Sequence, residues 1–210
     1  VRRIILTEPA SRWFLVSSAV LCVLTAAALH VGLRLNLTPS LPMGVYQATD
    51  GQVVTGAVVV ACLPDAVAGL AAERGYVARG RPRDAGRTCP GGLEPIGKLV
   101  LAVAGDTVEV REAGLRVNGR EVPRSGRFPR DAEGRPVPRV SAGVHVVRAG
   151  DLWLLASVHR RSFDSRYFGP VPADNVLSVV APVWVWGSQD LRFWSESDRP
   201  VFVRRKEVAK

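Results

Sequence analysis

Lys98 is the one lysine of this 210-residue chain outside its C-terminal end; the other two are Lys206 and Lys210. A lysine can work as a general base when burial lowers its pKa from about 10.4 towards 7–8, a shift worth roughly 3–4 kcal/mol that requires apolar surroundings. Ile96 and Val100 flank Lys98 on its own face of a strand pattern, and Leu99 and Leu101 fill the other. The bland alternative is a lysine snorkelling from a strand end. A base of this kind would serve a serine, and Ser40 stands in Asn36-Leu-Thr-Pro-Ser-Leu-Pro-Met-Gly44. Pro39 and Pro42 fix the backbone around it and keep its hydroxyl out of a regular helix. Taken alone, that segment reads as a linker.

Other chemistries fit less well. The histidines are His30, His145 and His159. His30 falls in an apolar run, His145 alternates with Val144 and Val146, and His159 adjoins Arg160 and Arg161, which would repel an imidazolium. A Ser-His-Asp triad through His159 is therefore the weaker option. With three cysteines and no H-x-x-x-H or C-x-x-C spacing, no metal and no cofactor are expected. The net charge is +9, but the basic residues are mostly arginines scattered over loops, densest at 79–83 and 203–206. They form no stripe, so a solvated surface is expected rather than a specific nucleic-acid site.

The elements that must position Ser40 and Lys98 follow. Residues 13–33 carry no charge, and twenty-one helical residues reach roughly 30 Å, a bilayer core. Arg2, Arg3 and Arg12 precede this run and only Arg34 follows closely, which puts the N-terminus in the cytoplasm and the rest outside. A cleaved signal peptide is the rival, but the apolar stretch is longer than a usual signal core and runs on to Leu37. The first residue is Val, which points to a non-Met start read literally or to a few residues missing ahead of it.

Beyond residue 36 the pattern is β. Short runs at 53–54, 57–62, 144–147, 152–155 and 176–186 read as strands, and 96–103 as a buried strand. Residues 107–110 and 115–117 read as a hairpin around Glu112-Ala113-Gly114, with Asn118-Gly119 turning the chain into Glu121-Val122. One soluble helix is expected over 65–74, capped by Asp65 and stopped by Gly75. Residues 79–92 and 123–139 read as loops. The division is thus 1–12 cytoplasmic, 13–33 transmembrane anchor, 34–186 a mainly β domain, and 187–210 a tail without assigned role. Cys62 and Cys89 both fall in the outer domain, where an oxidising space would let them pair; two separate buried thiols are the alternative.

Three segments acquire meaning together: Asn36-x-Thr38-x-Ser40-x-Pro42-x-Gly44-x-Tyr46 after an apolar anchor, Lys98-Leu-Val-x-Ala-x-x-Gly105-Asp106, and Ser162-Phe-Asp164-Ser165-Arg166-Tyr-Phe-Gly169-Pro-Val171. Over about residues 13–186 this resembles the type I signal peptidase family, and its conjugative-transfer, TraF-type branch in particular. The Asn36–Tyr46 pattern and the Cys89-Pro-Gly-Gly92 element point to that branch. The resemblance implies a signal-peptidase-like β domain on one N-terminal transmembrane helix. It assigns Ser40 as nucleophile, Lys98 as general base, Thr38 with the Ser40 N–H as oxyanion donors, Ser162 as the hydroxyl orienting the amine, and Asp164 with Arg166 as a supporting ion pair. Ala104 stands where the family often has Pro, and Ala156-Ser157-Val158 where many members have Gly-Asp-Asn.

The expected function is a membrane-anchored serine endopeptidase of the bacterial inner membrane, single-pass, with its catalytic domain in the periplasm. Its implied partners are the lipid bilayer, a membrane-tethered precursor, in this branch a pilin precursor, and conjugation or secretion machinery. A general type I signal peptidase is the nearest alternative, and a catalytically idle, tethered β module the alternative from another class.

Overall fold

A computed structural model describes residues 9–80 and 88–186, without the side chains at 9–12 and 28–29. The expectations for residues 1–8 and 187–210, and for most of the 79–83 arginine run, lie outside the described residues.

The first helix, α1 (Pro9–His30), ends three residues before the expected boundary. Gly32 turns there with φ 75°, and the apolar run continues as a strand, β1 (Leu33–Asn36), which pairs antiparallel with β2 (Gly44–Thr49). The hairpin closes on the pair Asn36↔Gly44, so residues 37–43, Ser40 among them, form the loop it holds. Gly44 is required where it stands: a Cβ there would lie 2.2 Å from the Trp184 carbonyl oxygen. Among the residues with described side chains, no helix is long and apolar enough to cross a membrane; within α1 these are 13–27 and His30.

Further along lie β3 (Val58–Ala61), α2 (Asp65–Glu73), β4 (Ile96–Ala102), β5 (Thr107–Arg111), β6 (Gly114–Val117), β7 (Arg120–Glu121), β8 (Gly143–Val146) and β9 (Asp151–Leu155). Then come a single turn of helix, α3 (Ser165–Phe168), and strands β10 (Val171–Pro172) and β11 (Val176–Val185). Seven strands make one antiparallel sheet in the order β1-β2-β11-β3-β4-β9-β10; four make a second, β7-β6-β5-β8. Residues 53–54 form no strand, and Pro64, not Asp65, occupies the N-cap of α2. Strands β1, β2 and β10 and helix α3 had no counterpart in the sequence reading. β1 and β2 owe their form to pairing with each other, β10 to pairing with β9, and α3 to its Asp164 cap.

The second sheet packs on one flank of the first. Val108, Val110, Leu115 and Val117 meet Leu101 of β4 and Trp153 and Leu155 of β9 in one buried cluster. Val59, Val100, Leu154 and Val171 form another. Fully buried β-branched and leucine side chains at strand spacing are what fix the register here, since a one-residue slip would turn them all to the other face. Strand β4 therefore runs between two apolar layers, and Lys98, paired with Val59 of β3, is buried with it. Cys62 and Cys89, 27 residues apart, are joined by a disulfide that ties the end of β3 to the loop before β4, with Leu93 packed beside it.

Candidate active site

Ser40, Lys98 and Ser162 meet at one point. The Lys98 amine lies 2.8 Å from Ser40 Oγ and 2.6 Å from Ser162 Oγ, and the two hydroxyls are 3.2 Å apart. Lys98 is only 2% exposed, and burial pulls its pKa down from 10.5 to about 8; the Asp164 carboxylate holds it up, and the Arg166 guanidinium adds a smaller downward push. When the amine is charged it donates to both hydroxyls. Once neutral, it keeps N–H donors for Ser162 and offers its lone pair to the Ser40 O–H, which is the geometry of a general base.

Each member is fixed by its own element. Lys98 comes from the middle of β4. Ser40 comes from the hairpin loop, and its carbonyl accepts the Ser157 N–H at 3.0 Å, just past the end of β9. Ser162 hangs from the segment between β9 and α3, and Arg166 pins it there: one terminal nitrogen donates to the Ser162 carbonyl at 3.1 Å, the other to the Arg160 carbonyl at 2.7 Å. Arg166 also reaches the Gly126 carbonyl at 3.2 Å. Asp164 grips Arg166 through both carboxylate oxygens, at 2.7 and 2.8 Å, accepts the Ala156 N–H at 3.0 Å, and caps α3 through the Arg166 N–H. Both ions are buried, and the pair holds because every polar atom of the two side chains is bonded. Burial pulls the Arg166 pKa down most strongly; the Asp164 charge, its hydrogen bonds and Tyr167 together outweigh that and raise it.

Thr38 sits beside the dyad on the wall of the cleft, but its hydroxyl points elsewhere than the resemblance implied. It donates to Oδ1 of Asn36 at 2.7 Å. His159 lies exposed on the cleft rim, while Ser40 bonds to Lys98 and Ser162 instead. His145 is on β8 with a ring nitrogen 2.9 Å from the Ser141 carbonyl oxygen, and His30 ends α1. Among the described residues no cluster of His, Cys, Asp or Glu could hold a metal.

The dyad opens into a cleft of about 510 Å³, walled also by Tyr76, Phe128 and Val137. Its far wall is latched: Tyr76 donates to Asp131 at 2.6 Å, and Arg74 to the Pro136 carbonyl at 2.7 Å. These contacts tie the end of α2 to the 123–139 loop. Sequence reasoning missed the latch, because it joins the end of a helix to an aperiodic loop about sixty residues further on. It also missed the structural part of Ser157, although that residue's position in the unusual Ala156-Ser157-Val158 was a signal. The buried Ser157 hydroxyl has no hydrogen-bond partner among the described residues.

The signal peptidase family, peptidase S26, matches residues 7–186. The chain belongs to that family. Plasmid transfer protein TraF of Escherichia coli is 38% identical to this chain over 165 residues, 78% of this chain and 89% of that protein. Conjugal transfer protein TraF of Agrobacterium tumefaciens (strain 15955) is 40% identical over 177 residues, 82% of this chain and 94% of that protein. A solved signal peptidase I from Enterococcus faecalis V583 aligns at 18% identity with a TM-score of 0.35, over 63% of this chain and 100% of that one. The resemblance to the TraF-type signal peptidases is therefore shown, and membership of peptidase S26 supports a serine peptidase.

Proposed function

We propose that this signal peptidase-family protein is a Ser-Lys endopeptidase that cleaves membrane-tethered precursors, in the first place a pilin precursor. The observation that carries this reading is the buried Lys98 amine within hydrogen-bond reach of both Ser40 and Ser162. Ser40 Oγ attacks the scissile carbonyl and its proton passes to the neutral Lys98. The negative charge on the carbonyl oxygen is met by the Ser40 N–H and by the Thr38 hydroxyl, which turns to it from Asn36. Lys98 then gives the proton to the leaving amine. Water, deprotonated by the same lysine, releases the acyl group and restores Ser40. Ser162 keeps the amine aimed throughout, and the Asp164–Arg166 pair keeps Ser162 in place.

Residues 13–30 of α1 anchor the chain in the bacterial inner membrane, with the N-terminus in the cytoplasm and the β domain in the periplasm. What supports this is the charge bias around the segment and the bare apolar surface of α1, where Trp13, Phe14, Leu21 and Val23 are each more than 60% exposed. The exposed, mutually packed Trp184 near the end of β11 and Trp186 just beyond it suit the membrane–water interface. The Cys62–Cys89 disulfide suits an oxidising compartment. Conjugation is favoured over general export because the curated relatives are conjugal transfer proteins. An idle module would gain nothing from a desolvated lysine aimed at a serine.

The test is incubation of the full chain, in detergent, with a pilin precursor and with an ordinary exported preprotein, products read by mass spectrometry. Cleavage of the pilin precursor at one bond is expected, and the product mass also tells whether water or an amine took the acyl group. Cleavage of the preprotein alone would move the protein to general export, and cleavage of neither would end the proposal.

A further inference from the structure

Asn36 closes the β1–β2 hairpin, and its side chain reaches back into the loop that bears Ser40. Its amide nitrogen Nδ2 lies 3.0 Å from the Thr38 carbonyl oxygen, 3.3 Å from that of Leu41 and 3.1 Å from that of Pro42. Its Oδ1 accepts from the Thr38 N–H at 3.2 Å and from the Thr38 hydroxyl at 2.7 Å. The three carbonyls can be served only by the NH2 end, so the orientation of the amide follows from its partners. Two N–H donors shared among three acceptors, with both bonds to Oδ1, grip the loop on either side of Ser40.

The loop has other holds: Leu41 is buried in the core beside Tyr46 and Leu99, and the Met43 carbonyl accepts the Trp186 N–H at 2.8 Å. Pro39 and Pro42 have no N–H to donate. The Ser40 carbonyl is bound by Ser157 N–H, and the Pro42 carbonyl also accepts the buried Tyr46 hydroxyl at 2.7 Å. Of these holds, Asn36 alone touches the loop at Thr38, Leu41 and Pro42 together. Among the described residues it is also the only side chain bonded to the Thr38 hydroxyl.

We propose that Asn36 is a positioning residue for catalysis, holding the 38–42 loop so that Ser40 Oγ stays on the Lys98 amine and Thr38 stays beside it. This rests on the Ser-Lys reading given above. Asn36 touches no reacting atom; it acts through the nucleophile and through Thr38. Displacement of a reacting group by about 1 Å can cost about 10²-fold in rate, which sets the scale of the effect.

Two variants divide the grip. Asn36→Asp keeps Oδ1 for Thr38 but loses the donors and turns a carboxylate towards three carbonyl oxygens. Asn36→Ala loses both halves. On one peptide substrate, both should lower kcat by about 10²-fold while KM stays within about threefold, the pattern of lost transition-state alignment. In Asn36→Ala the acid limb of the pH profile should not move, because the burial of Lys98 on β4 is untouched; in Asn36→Asp the added carboxylate should move it upwards. A kcat within about threefold of the parent in both folded variants, or a loss confined to KM, would overturn the inference. Failure of both variants to fold would overturn it as well, since Asn36 would then be a determinant of the fold and not a positioning group.

A second readout needs no substrate. In Ser40→Cys, the thiol beside the Lys98 amine should alkylate with iodoacetamide well below the pH at which a free thiol reacts. Adding Asn36→Ala, which brings no charge of its own, should shift that profile back towards a free thiol and slow alkylation at neutral pH about tenfold. An unchanged profile would sink the positioning role whether or not the parent is a peptidase. A shifted profile with a parent that cleaves nothing would leave the clamp standing and remove the proposed function.

Discussion

Replacing Lys98 by Met should make the protein more stable at neutral pH while abolishing activity. The amine is buried, and its pKa is lowered from 10.5 to about 8. A change of that size disfavours the charged amine in the folded chain by about 3 kcal/mol. The sign follows from proton binding. Below pH 8 folded and unfolded chains both hold the proton, and the full cost is present. Between about 8 and 10.5 the unfolded chain holds a proton that the folded chain has released, so stability rises with pH and the cost disappears. Met fills a similar volume without charge. It loses the bonds at 2.8 and 2.6 Å, but the Ser40 and Ser162 hydroxyls, 3.2 Å apart, still have each other, so that loss is about 1 kcal/mol. The net gain is about 2 kcal/mol at pH 7, and it vanishes near pH 10. Urea unfolding of parent and Lys98→Met, the full chain in the same detergent at about pH 7, 9 and 10, measures it. A parent as stable as the variant at pH 7, or a gap that does not change with pH, would refute the desolvated amine.

Further outcomes follow from the same contacts. kcat/KM should rise with pH through an apparent pKa of about 8, since the base must be neutral; a flat profile from about pH 6 to 9 would contradict this. Asp164→Asn removes the charge that holds the Lys98 pKa up, so the acid limb should move to lower pH, and the stranded Arg166 should cost about 3–5 kcal/mol in urea unfolding. An acid limb moved upwards would be the wrong sign. Replacing Cys62 and Cys89 together by Ser should cost about 3–4 kcal/mol, the chain-entropy value for a 27-residue separation, and leave KM unchanged; an unaltered urea midpoint would contradict it.

How much of this was legible in the sequence depends on how local the cause is. Lys98 could be read as buried because apolar residues stand on both faces of its strand, and β4 owes its place to that pattern. Strands β1 and β2 could not be read, because Leu33-Arg34-Leu35 prolongs the apolar run of α1 and only pairing with β2 makes it a strand. Ser162, Asp164 and Arg166 were singled out from one short run, yet the reason they stay together, carbonyl bonds from Arg166 to residues 126, 160 and 162, involves loops with no periodicity. Asn36 offered a signal that went unused: an Asn two residues before Thr38 can turn back on the Thr38 N–H. Its bonds to Leu41 and Pro42 depend on the hairpin.

The central claim is that Ser40 and Lys98 form the catalytic pair, and its most direct test is the rate of precursor cleavage by parent, Ser40→Ala, Lys98→Arg and His159→Ala, all checked for folding. Arginine keeps the charge of Lys98 but cannot give up its proton. Cleavage should fall below detection for Ser40→Ala and for Lys98→Arg, and stay within a few-fold of the parent for His159→Ala. Substantial turnover by Lys98→Arg, or a loss in His159→Ala equal to that in Ser40→Ala, would contradict the account.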